Sequence, residues 1–135
     1  MAEGHIPSNG ITSTSVARML NGAGIPASSP APEVVMVEGP GTIGISGFGG
    51  QPHLCFSCVL RFRVALDLET RQVLVNQLMR LVPGFRAYVN DEEDVVCTLD
   101  LMVEGGLLPS QLIYTCSLFR VAMEKVTEAC EGVLA

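Results

Sequence analysis

The chain has 135 residues, 48% of them apolar and 16% charged, the balance of one globular domain and not of a disordered or membrane-spanning chain. Eight Lys and Arg against fourteen Asp and Glu leave a net charge of −6, which repels phosphate backbones and argues against a nucleic-acid binder. Two histidines and no tryptophan supply little material for catalysis, and no motif calls for an enzyme.

Met1–Gly10 has neither a basic start nor an apolar centre, so no secretory leader is expected. No run approaches the ~20 apolar residues that span a bilayer. Five cysteines cannot all pair within one chain. Small reduced thiols, buried in a cytoplasmic protein, account for them.

Residues 1–12 are small and polar and read as a flexible start, ahead of a single domain over residues 13–135. A first helix is predicted over Ser15–Asn21, capped by Thr14 or Ser15, with Val16, Met19 and Leu20 on its apolar face. Ile25–Pro32, with three prolines and two serines, reads as a connector. Glu33–Glu38 reads as a strand, and Thr42–Ser46 as its hairpin partner across Gly39-Pro40-Gly41. A loose Gly-rich stretch follows, Ser46–His53.

Leu54–Asp67 carries the strongest strand signal. Leu54, Phe56, Cys58, Leu60, Phe62, Val64 and Leu66 share one register, opposite a mostly polar one. A second helix is predicted from Thr70 to Val82, stopped by Pro83-Gly84. Phe85–Val89 and Val95–Val103 read as a β-hairpin across the acidic turn Asn90–Asp94. Pro109 suits the first turn of a final helix that runs to about Cys130. This order predicts an α+β fold, an antiparallel β-sheet with helices packed on it.

Cys55-Phe56-Ser57-Cys58 has the spacing of a redox dithiol or half a zinc site. Within a strand, however, three steps separate the Cα atoms by roughly 10 Å and turn the side chains to opposite faces. A disulfide needs less than about 7 Å. No second C-x-x-C follows to complete a zinc site. Structural thiols are the stronger reading; a small zinc-binding or thiol-redox protein using Cys55 and Cys58 is the rival.

Gly39–Gly44 matches G-x-G-x-x-G, but no helix opens behind it to offer N–H groups to a pyrophosphate. A hairpin turn without nucleotide affinity is expected. Asp91, Glu92, Glu93 and Asp94 lack the alternating spacing of a calcium loop and read as a solvated tip. Ser110 and Ser117 have no neighbouring base in the sequence. The final helix carries two apolar stripes at 100° per residue. Leu112, Cys116, Phe119, Met123, Val126 and Cys130 form the natural core face. Tyr114, Leu118 and Val121 lie nearly opposite, either covered by residues 25–53 or free for a dimer or partner contact.

From about Leu66 to Val126 the chain resembles the YbjN family, bacterial "sensory transduction regulator" proteins related in fold to type III secretion chaperones. The resemblance rests on Val75-Asn76, Phe85-Arg86-Ala87, Leu99-Asp100-Leu101 and Glu104-Gly105-Gly106, in that order and spacing. It implies an antiparallel sheet backed by helices, no cofactor, no catalysis, and work through protein contacts as a regulatory or chaperone-like module. Secretion chaperones of that fold are small acidic homodimers that hold an extended segment of a client, and this chain shares the size and the acidity. Within that frame Asn76 and Arg86 are the polar groups to watch. Arg86 either holds a partner's carboxylate or pairs with Asp100 across the hairpin. The expected partner is a protein or a second copy, with no nucleic acid, membrane or metal.

Overall fold

Alternation decides which side of strand β4 (His53–Leu60) is buried. Leu54, Phe56, Cys58 and Leu60 are at most 5% exposed, while Cys55, Ser57 and Val59 turn the other way. The computed structural model describes residues 4–39, 41–61, 67–80 and 84–130. Around β4 lie β1 (Ala27–Ala31), β2 (Val34–Gly39), β3 (Gly41–Ser46), β5 (Arg86–Val89) and β6 (Val95–Met102). They form one antiparallel sheet in the order β1-β2-β3-β4-β6-β5. Helices α1 (Ser13–Gly22), α2 (Leu68–Leu78) and α3 (Pro109–Ala129) share one apolar core with the inward face of that sheet. The α+β class and the packing of helices on an antiparallel sheet are as the sequence predicts.

The core stripe of α3 is complete. Leu112, Cys116, Phe119, Met123 and Val126 are 0% exposed and Cys130 is 2%. Phe119 sits between Phe56 and Phe85, with ring centroids 6.1 and 5.9 Å away. These tilted pairs join the helix to β4 and to the residue that leads into β5.

Several boundaries differ from the sequence reading. Helix α1 starts at Ser13, because Thr12 rather than Thr14 or Ser15 caps it. Thr12 Oγ1 accepts from the Ser15 N–H at 3.1 Å, and Ser15 Oγ accepts from the Thr12 N–H at 3.0 Å. This reciprocal pair satisfies two donors that an isolated helix start would leave free. Helix α2 begins at Leu68 behind Asp67, whose carboxylate accepts from the Thr70 N–H at 2.7 Å. On α2 Val73 is 51% exposed, and Val75 and Leu78 supply its buried apolar side chains. Phe62, Val64, Leu66, Val82 and Pro83, on which the strand and helix readings also drew, lie outside the described residues.

Residues 25–32, read as a connector, contain the edge strand β1. Pro30 leaves that edge short of a donor, and the register with β2 shifts between Ser28 and Ala31. At Ala27, Asn21 stands in for a neighbouring strand. Its Nδ2 donates to the Ala27 carbonyl at 2.8 Å, and its Oδ1 accepts from the Ala27 N–H at 2.9 Å. Ile6, ahead of α1, is docked as well. Ile6 exchanges backbone hydrogen bonds of 2.8 and 2.7 Å with Leu107, where a flexible segment was expected. In the Gly-rich loop, Gly47 has φ +102°, and a Cβ there would lie 2.4 Å from the His53 carbonyl oxygen, so only glycine fits.

Candidate interaction surfaces

The two sides of α3 differ as the stripes require. Opposite the buried row, Tyr114 is 69% exposed and Val121 is 48%, while Leu118 is half-buried against the core. Among the described residues, those of 25–53 do not cover Tyr114 and Val121. Asn76 is exposed on α2.

Arg86 opposes Thr98 in the β5–β6 register and reaches diagonally to Asp100, where its Nη2 donates to Oδ2. Of its two readings, the structure holds the intrachain ion pair. Asp100 lies directly across from Cys55 on the outward face of the sheet. Burial, reinforced by the Asp100 charge, pushes the Cys55 thiol up to about 11, so it stays protonated and unreactive near neutral pH.

Cys58 faces inward at 3% exposure and opposes Cys97 across the strands. Burial pushes Cys97 up to about 12, helped by Cys58 and Cys130, and burial alone raises Cys58. All five cysteines are free thiols, and Cys55 and Cys58 lie on opposite faces of one strand, a geometry that brings neither a disulfide nor a shared metal between them. Among the described residues no group of three or more His, Cys, Asp and Glu side chains is placed to hold a metal ion.

Gly39 ends β2 and Gly41–Gly44 lie in β3, with no helix opening behind them; Pro40, on which the turn reading also drew, lies outside the described residues. A cleft of about 830 Å³ lies instead at the head of α1, between Thr12–Thr14, Pro30 and Phe48, and no charged side chain lines it. Its buried hydroxyl, on Ser13, is already taken by Ser29 at 2.8 Å. No helix among the described residues is long and apolar enough to cross a membrane.

A larger surface escaped the sequence reading. Helices α1–α3 pack on one face of the sheet; on the opposite face Val59, Tyr88 and Met102 are 44%, 50% and 61% exposed, while Val96 and Thr98 are buried at 8% and 7%. Val59 was visible as an apolar break in the polar register of β4. Its significance depends on neighbours from β5 and β6, which lie some thirty to forty positions along the chain.

A search of curated proteins finds no match. Among solved structures, the fold is similar to "Crystal structure of YbjN, a putative transcription regulator from E. coli". The TM-score is 0.69 at 13% identity, covering 90% of this chain and 94% of that one, a likeness of fold. The model of the family described as "YbjN: Putative bacterial sensory transduction regulator" matches residues 38–132, from the end of β2 through the whole of α3. With most of its length under that model, and with this sheet and these helices, the chain belongs to the YbjN family.

Proposed function

We propose that this chain is a non-enzymatic regulator, chaperone-like and cytoplasmic, that works by holding a protein partner against the outer stripe of α3. One contrast carries the reading: Phe119 is 0% exposed, while Tyr114 on the same helix is 69% exposed. The core stripe is complete without Tyr114 and Val121, so their exposure does not serve folding. Tyrosine offers a large rigid contact area with a polar tip at low entropic cost. Two exposed apolar side chains and part of Leu118 fall short of the ~800 Å² per partner of a standard interface. The stripe therefore suits an anchor in a transient contact, as a regulator needs.

The test is a quantitative pull-down from native lysate with wild type, Tyr114→Ala and, as a control on α2, Val73→Asp. Circular dichroism first establishes that the baits are folded. Proteins retained by wild type and Val73→Asp but lost from Tyr114→Ala support the reading. Identical sets from all three baits overturn it.

A further inference from the structure

We propose that Cys58 and Cys97 are an oxidation site, a dithiol that hydrogen peroxide closes into a reversible cross-strand disulfide. This is independent of the α3 reading. Cys58 on β4 and Cys97 on β6 stand directly opposite each other in the antiparallel register, and both are buried in the core beneath the helices. In the same register the Val103 N–H donates to the Pro52 carbonyl at 2.9 Å. Hydrogen-bonded pairs recur at every second residue, so Cys58 and Cys97 form one of them. Opposed Cα atoms of such a pair stand ~5.5 Å apart, inside the ~4.4–6.8 Å that a disulfide spans. Cys55 has no such partner, since Asp100 stands across from it.

The same geometry makes the bond reversible. Opposed Cβ atoms of a hydrogen-bonded pair stand ~5.5 Å apart, about 1 Å more than a relaxed disulfide holds. Closing the bond draws β4 and β6 together at that point, and the strain favours reduction. Cys130 also lies within electrostatic reach of Cys97, but no strand register sets it opposite.

Cys58, though only 3% exposed, helps line a cleft of about 730 Å³ together with Gly41, Thr42 and Thr127. A Cβ on Gly41 would sit 3.4 Å from the Cys58 sulfur; glycine leaves that approach clear for a molecule as small as peroxide. Cys58 gives up its proton and its sulfur attacks one peroxide oxygen. The O–O bond breaks, which leaves Cys58 sulfenic acid and, with the released proton, one water. The Cys97 sulfur then attacks the Cys58 sulfur, the S–O bond breaks, and the hydroxyl leaves with the Cys97 proton as a second water. Two thiols are oxidised to one disulfide, and one peroxide is reduced to two waters. Burial keeps both thiols protonated near neutral pH, so the step is slow and answers sustained oxidation, not a brief pulse.

The test treats folded protein with millimolar hydrogen peroxide near neutral pH, alkylates the remaining thiols after denaturation, and maps unreduced peptides by mass spectrometry. Circular dichroism first establishes that wild type, Cys55→Ser, Cys58→Ser and Cys97→Val are folded. Wild type and Cys55→Ser should each lose two hydrogens over hours and yield a peptide that links Cys58 to Cys97. Dithiothreitol should return both thiols, and the link should be absent from Cys58→Ser and Cys97→Val. If Cys97→Val does not fold, Cys58→Ser decides. Three results overturn the proposal: Cys58 and Cys97 both still free after a full day, Cys58 carried on to sulfinic acid beside a free Cys97, or Cys97 linked to Cys130 in place of Cys58.

Discussion

Phe119→Ala is the sharpest test of how the sheet and α3 are held together. The ring is 0% exposed and lies 6.1 Å from Phe56 and 5.9 Å from Phe85. Removing a buried phenylalanine costs about 3–5 kcal/mol through lost transfer energy and the cavity left behind. Two tilted aromatic pairs, each worth about 0.5–1.5 kcal/mol, vanish with it, so the loss belongs in the upper half of that range, near 4–5 kcal/mol. Domains of ordinary size have about 5–15 kcal/mol in total, so the variant should be close to unfolding at room temperature. Urea melts followed by circular dichroism measure the change, with Val73→Ala as the exposed control, expected within about 0.5 kcal/mol of wild type. A loss below about 2 kcal/mol for Phe119→Ala would show that α3 does not seat its ring between β4 and the start of β5.

Asn21→Ala removes both side-chain hydrogen bonds at Ala27 and should cost about 1–2 kcal/mol in the same melts. It should also raise light scattering on incubation, since it uncovers the β1 edge; unchanged scattering would deny Asn21 its guarding role. Gly47→Ala should cost about 3 kcal/mol or more, because the new Cβ meets the His53 carbonyl oxygen. Gly49→Ala, equally left-handed at φ +100° but with open space around it, should cost only about 1–2 kcal/mol. Equal losses would refute the close approach at Gly47. The thiols predict an alkaline limit: burial holds Cys97 up to about 12 and Cys55 and Cys116 up to about 11, while an unfolded chain releases those protons from about pH 8.5. The folded chain keeps protons that the unfolded one gives up, so stability should be complete below pH 8 and fall as pH rises through 9 to 11. Cys97→Val should flatten that fall, and urea midpoints that stay level from pH 7 to pH 10.5 in wild type would contradict the burial of these thiols.

Local chemistry and period alone determined much of this protein. The even register of Leu54–Leu60, the six-residue core stripe of α3 and the hairpin across Asn90–Asp94 all appear where pattern places them. Each needs only neighbours two, three or four positions away, so the sequence carries the full signal. The cysteine spacing was legible for the same reason, because strand geometry alone sends Cys55 and Cys58 to opposite faces. Tertiary structure decided the rest. Ala27–Ala31 is a strand because β2 and the Asn21 side chain satisfy its backbone, against the local preference of Pro30. Ile6 is held by Leu107, one hundred and one positions away, which no composition rule could supply. The row of Tyr88, Val96 and Val59 exists only once β4, β6 and β5 lie side by side, and within it Tyr88 and Val59 are exposed while Val96 between them is buried. A surface assembled from distant strands has no period in the chain, because its neighbours are set by strand pairing and not by sequence spacing.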